Sequence, residues 1–284
     1  MTLNIASCSP AAFVDELINP GLPTSIGPVA LRSYVSTAAR SPLAAAVREQ
    51  LNGLMTQGGE GPRALRALRD RCEDGRGGHW RRLFSGTGHL DRLVELWEWM
   101  LAYRDLLATL PPPQGAAGPS WTGWLAQANP LQAMVDAEVF GLDCLGFVSQ
   151  YIRRSRLMAH APTWDVEQFG TVASLAPIAA AAGVRPLTLL LFPEAATTAQ
   201  HIAIVDRVDA VLGDSVRVDL CQSSRGGPQT NRRVVIAPNG ATQITLGTLS
   251  LRAWTITGGS PPAPVQNPML PMRRPAWQLG AASG

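Results

Sequence analysis

The sequence contains no lysine. All 24 of its basic residues are arginine, set against 21 acidic ones. The resulting net charge of +3 is too small an excess to draw the chain to nucleic acid or to an anionic membrane surface. Two causes fit the missing lysine: a GC-rich genome, whose codons favour arginine, or service inside a foreign eukaryotic cell where lysine is modified. There is no Cys-x-x-Cys pair, and Cys8, Cys72, Cys144 and Cys221 are too widely spaced for a zinc ribbon or a disulfide scaffold. Reduced thiols are expected, and no metal-ligand spacing such as HExxH occurs, so neither a metal nor another cofactor is expected. Long apolar runs are missing too. Residues 173–182 and 187–192 are cut by Pro177, Gly183 and Pro186, short of the roughly 20 residues a spanning helix needs. Residues 1–20 lack a basic start and carry Asp15 and Glu16 where a signal peptide is apolar. The expectation is a soluble protein without a membrane span, cytoplasmic in its producer or exported by a signal-independent system.

What is present is enough apolar material for a core, 46% of the chain with 16% charged. The spacing of Leu90, Leu93, Val94, Trp97, Met100 and Leu101 predicts one long amphipathic helix up to about Leu110. A second helix is expected from Arg63 to Cys72, with Pro62 at its start and Leu65, Leu68 and Cys72 as its buried stripe. Its Arg63, Arg66 and Arg69 read as a solvated face, or as a grip for an anionic partner. Pro111-Pro112-Pro113 and the Gly/Ala/Pro stretch after it predict a domain boundary. A short helix at 131–140, a break at Gly141 and a new helix near Cys144 follow. Beyond Gly183 come five β-rich runs, 187–192, 202–208, 216–222, 233–237 and 249–257, expected to form an antiparallel meander. The fold class is α+β: a helical region 1–112, a second domain 113–258, and a Pro/Gly-rich flexible tail 259–284 that can serve as a partner-binding strap.

Within Gly141-Leu142-Asp143-Cys144-Leu145-Gly146-Phe147-Val148, Cys144 falls at a helix start, where unpaired N–H groups and the helix dipole favour a thiolate. The competing reading is an ordinary buried cysteine. Of the four histidines, His201 opens a strand, whereas His79 and His89 lie in the helical region and His160 in a loop. A cysteine nucleophile needs such a base, and strand alternation puts His201 on the face of Ala203 and Val205. Gln222 interrupts the apolar face made by Val216, Val218 and Leu220 and can orient the imidazole. Asp219 suits that chemistry better but falls on the opposite face. Trp121, Trp124 and Trp164 read as ordinary packing or as the lining of a substrate groove.

These residues resemble the NlpC/P60 group of papain-like cysteine peptidases. Asp143–Val148 is similar to that group's Asp-Cys-Ser-Gly-Phe/Leu-Val motif, with Leu145 in place of Ser, and His201–Ile204 to its His-Val-Ala/Gly-Ile strand. Arg185-Pro186-Leu187-Thr188 keeps the first half of its Arg-Pro-Gly-Asp turn, and Gln222 stands where the family more often has His. The resemblance covers about one third of the chain. It implies a papain-like domain, a Cys-bearing helix packed on an antiparallel sheet, that hydrolyses an amide bond, most often in peptidoglycan stem peptides. Cys144 is then the nucleophile, His201 the base and Gln222 the third residue. The alternatives are a deamidase or protease acting on a host protein, and a catalytically inactive papain-like binding module. The helical N-terminal region then suits an immunity protein or a secretion apparatus as partner.

Overall fold

A computed structural model describes residues 9–35, 41–73, 79–113, 119–155, 157, 169, 175–193, 200–238, 244–246 and 249–256. The mobility expected of 259–284, and the readings of His160 and Trp164, lie outside them. The fold is α+β, helices together with one antiparallel sheet. The chain divides into two compact units, one over Leu17–Asp143 and one that takes in 9–16 together with 144–256.

Helix α1, Pro10–Ile18, runs through the first junction of the two units, and its turns up to Glu16 belong to the second. The first unit carries α2 (Pro42–Leu54), α3 (Glu60–Cys72), α4 (His79–Arg82), α5 (Leu90–Ala102), α6 (Arg104–Ala108), α7 (Trp121–Leu125) and α8 (Pro130–Asp136). Helix α3 begins one turn earlier than its periodicity indicates, with Pro62 in the first turn, where a missing N–H is tolerated. Leu65, Leu68 and Cys72 are buried as expected. Arg66 donates to the carbonyls of Met55 and Gln57, and Arg69 pairs with Asp70 at 3.0 Å, so two of the three arginines have partners within the chain.

Two helices end where apolar spacing did not stop them. The pattern expected to run to Leu110 breaks at Tyr103, whose ring packs on Trp99 at 5.5 Å and whose hydroxyl donates to Glu60. Gly61 leaves the room for that ring, since a Cβ there would sit 2.9 Å from it. Tyr103 is thus held by α3, and the helix restarts beyond it. Likewise α8 ends at Asp136, not near Phe140. Glu138 takes the left-handed conformation, and the Val139 N–H returns to the Met134 carbonyl at 2.9 Å, a six-to-one closure that terminates helices.

The boundary expected at 112/113 lies inside the first unit. Gln50 accepts from the Trp121 indole N–H at 2.6 Å and donates to the Pro111 carbonyl at 2.8 Å, tying α7 and the proline run to α2. Trp121 and Trp124 are buried against each other edge to face, so they pack a core and line no groove.

The second unit sets α9 (Cys144–Arg154) against seven strands: β1 (Leu175–Ile178), β2 (Leu189–Pro193), β3 (Gln200–Leu212), β4 (Ser215–Ser224), β5 (Gly227–Pro238), β6 (Ile244–Leu246) and β7 (Leu249–Ile256). All pairings are antiparallel, in the order β1-β7-β2-β3-β4-β5-β6, and β6 also pairs with β7. The five expected strands are there, but the meander closes into a ring: the start of β7 pairs with β6 and its later residues with β2 and β1. The ring leaves β1, which pairs with β7 alone, as the strand bonded on one side among the described residues. Leu190, Phe192, Ala203, Val205, Val216, Val218, Leu220, Ile236, Leu251 and Ala253 form one apolar cluster on one face of these strands. Helix α9 packs on β3 and β4, while Phe13 of α1 meets Phe147 and Tyr151 at 5.5 and 5.8 Å.

Candidate active site

Cys144 is the first residue of α9, and the chain re-enters the second unit with it. The chain that leads to it is pinned: Leu142 N–H donates to the Ser33 carbonyl and Asp143 N–H to the Gly86 carbonyl, each at 3.1 Å. Gly141 is required at this close approach, because a Cβ would overlap the Ser33 carbonyl. Every residue from Cys144 to Ile152 is buried, so this helix has no solvent face along its first two turns, and Arg153 and Arg154 close its C-terminal end in the sense the helix dipole favours. Cys144 is a reduced thiol at 6% exposure.

His201 and Gln222 meet. Imidazole Nε2 lies 2.5 Å from Gln222 Oε1. Because an amide oxygen only accepts, this contact assigns the ring proton to Nε2 and leaves Nδ1 as the basic nitrogen. The other end of the Gln222 amide donates to Asn231 Oδ1 at 2.8 Å, and Phe192, opposite His201 on β2, packs its ring 5.8 Å from the imidazole. The alternation read from sequence holds here: Ala203 and Val205 share the cluster with Val216, Val218 and Leu220, and His201 reaches Gln222 along the same face. Cys144 joins them at the level of elements, α9 resting on the two strands that carry His201 and Gln222. Of the other histidines, His89 precedes α5 in the first unit, and His79 opens α4 there. Among the described residues of the second unit His201 is the one histidine.

Asp219 is committed elsewhere. Its carboxylate accepts from Arg207 at 2.8 Å and from the backbone N–H of Arg233 at 3.0 Å. Burial works to raise this carboxyl, and the two hydrogen bonds outweigh it, holding it below its ordinary range. It has no contact with the imidazole to offer. Cys221 and Cys72 are also set apart, because burial pushes each thiol up to about 12. Cys221 points at Thr230 Oγ1, 3.4 Å away.

The turn ahead of β2 is well defined. Pro186 precedes Leu187, which sits at φ 70°, and Thr188 N–H returns to the Arg185 carbonyl at 3.0 Å, a type II turn. Thr188 Oγ1 accepts from the Arg185 N–H at 3.0 Å, and the Leu187 N–H reaches the Val205 carbonyl at 2.8 Å, fastening the turn to β3.

The residue that sequence reading misses is Asn231. Period-2 extrapolation back from Val234 and Ile236 puts it on the wrong face. The two-residue turn Arg225-Gly226, which sets Gln229 opposite Gln222, is the signal that finds it. Among the described residues no group of three or more His, Cys, Asp or Glu side chains converges in a way that holds a metal ion, and no helix is long and apolar enough to cross a membrane. Compared with models of known families, with curated proteins and with solved structures, the chain matches none.

Proposed function

We propose that the protein is a papain-like cysteine amidase or endopeptidase of the NlpC/P60 type that hydrolyses an amide bond in peptidoglycan stem peptides. The observation that carries this reading is the His201–Gln222 contact, made on the two strands against which the Cys144 helix packs. The turn at Arg185–Thr188 supports it as well. Leu187 and Thr188 stand where the family's Arg-Pro-Gly-Asp turn has Gly and Asp, and here Leu187 takes φ 70° while the Thr188 oxygen accepts from the Arg185 N–H.

In the proposed reaction His201 Nδ1 takes the thiol proton, and the Cys144 thiolate attacks the amide carbon. The backbone N–H of Cys144, in the first turn of α9, donates to the developing oxyanion. As the C–N bond breaks, the imidazolium returns the proton to the leaving amine, and a thioester remains. Water, deprotonated by His201, then hydrolyses the thioester, releases the acid and restores the thiol. Gln222 keeps Nε2–H engaged throughout and stabilises the imidazolium.

The test is muropeptide analysis of purified sacculi incubated with the wild type and with Cys144→Ala. New cleaved stem peptides with the wild type, absent with the variant, are the expected result and name the bond. No cleavage, with Cys144 still alkylating rapidly, turns the reading to a protein substrate, which the all-arginine composition favours. No cleavage and an inert Cys144 leave a binding module.

A further inference from the structure

We propose that Asn231 is a positioning residue for the imidazole, acting through Gln222, and that the bulge clasped by Asp219 exists to aim it. The proposal rests on the peptidase reading for its purpose, though not for its geometry.

A glutamine amide has an acceptor and a donor end of nearly the same shape. Facing a histidine, its oxygen accepts from a protonated Nε2, or its NH2 group donates to a bare one. Only the first arrangement leaves Nδ1 unprotonated, as the nitrogen that can take a proton from a thiol. Asn231 Oδ1 engages the NH2 group of Gln222 at 2.8 Å, which turns the oxygen of Gln222 toward His201.

Asn231 reaches that place through a slip in strand parity. On β5, Ile236 and Val234 pack with the apolar cluster that also holds Val216 and Val218 of β4. Strict alternation would then turn residue 232 to this face and 231 away from it. The ladder instead jumps from Val218↔Val234 to Leu220↔Asn231, so that Arg232 and Arg233 together oppose Asp219. Arg233 takes φ 57°, and its N–H is held by Asp219 Oδ1. An extra residue of this kind re-aims every side chain beyond it. Asn231 and Gln229 therefore share the face of Gln222, and a line Asn231–Gln222–His201 crosses three adjacent strands.

The experiment uses the full-length chain labelled with 15N-histidine, with the His201 ring assigned by its loss in His201→Ala. In the wild type the proton resides on Nε2. Asn231→Leu frees the amide to turn over, and the ring nitrogens move toward a mixed-tautomer average. Asn231→Asp, which only accepts, restores the wild-type pattern. Alkylation of Cys144 by iodoacetamide follows in parallel, slower by about tenfold in Asn231→Leu, as the loss of one orienting hydrogen bond implies, and recovered in Asn231→Asp. In a Gln222→Glu background, where no amide is left to orient, Asn231→Leu changes the tautomer no further. An unchanged tautomer in Asn231→Leu overturns the proposal. So does loss of the Nε2 proton in Asn231→Asp, which would mean that the amides run in the opposite sense. If the tautomer depends on Asn231 while Cys144 alkylates no faster than a free thiol, the positioning role stands and the peptidase reading falls. Asn231→Asp, which keeps the shape of the native side chain, decides the matter even where Asn231→Leu folds poorly by itself.

Discussion

Arg233 gives its backbone N–H to Asp219 across 3.0 Å while itself in the left-handed region at φ 57°. A non-glycine residue in that conformation is held against a cost of roughly 1–2 kcal/mol, and the carboxylate is what holds it. Asp219→Asn therefore lowers stability by about 1–3 kcal/mol, the range for weakening a buried, charge-assisted hydrogen bond. The effect depends on pH in a definite sense. The folded carboxyl lies below its ordinary value of 3.8, so its contribution is full above that value and lost as pH falls through the lower folded value. Urea denaturation should show the wild-type advantage intact at about pH 7 and closing below about pH 3.

Thiol labelling should separate the cysteines. With Cys8, which lies outside the described residues, replaced by Ser, iodoacetamide at about pH 7.5 is expected to modify Cys144 and to spare Cys72 and Cys221. Those two thiols are pushed up to about 12 by burial. Peptide mapping by mass spectrometry gives the answer; comparable labelling of Cys221 would contradict the account of its environment.

Gln222→Ala removes the acceptor that faces Nε2. For a hydrolysable stem peptide the expected outcome is a fall in kcat of about 100-fold with little change in KM, since the imidazolium needs that partner in the transition state more than the bound substrate does. Gln222→Glu keeps an acceptor and should retain most of the rate. Equal losses in both variants would assign Gln222 a merely structural place.

Leu187 occupies the third position of its turn at φ 70°, where a side chain is strained. Leu187→Gly should raise stability by about 1 kcal/mol, and Leu187→Val lower it by a similar amount, because a branched Cβ is the least tolerated there. Thermal unfolding of the two variants beside the wild type reads the difference.

Much of this was legible in the sequence because the physics involved is local. Gly141 followed by an apolar helical stripe located the start of α9, and period 2 along 201–205 and 216–222 put His201 and Gln222 on one face before any distance was known. What escaped is set by partners remote in the chain. Tyr103 ends α5 through Gly61 and Glu60 of α3, and Trp121 is claimed by Gln50 of α2. Strand β1 has four residues, one of them Pro177, and exists through its pairing with β7. Asn231 was hidden because one inserted residue reverses the parity of β5, and no single-strand pattern reports an insertion that only its neighbour reveals.

The placement of α1 bears on how the chain acquires its structure. Ala11 donates its N–H to Asp206 at 2.8 Å, Phe13 stacks on Phe147, and Glu16 lies 3.7 Å from Arg154. On a ribosome, this helix emerges ahead of the strand it docks on, with Phe13 unsheltered, and 195 positions of chain separate Ala11 from its partner Asp206. High contact order of this kind slows folding and lengthens exposure to aggregation. A deletion or fusion at α1 should therefore weaken the sheet unit, distant as it is along the chain, and leave the helical unit that follows α1 directly comparatively untouched.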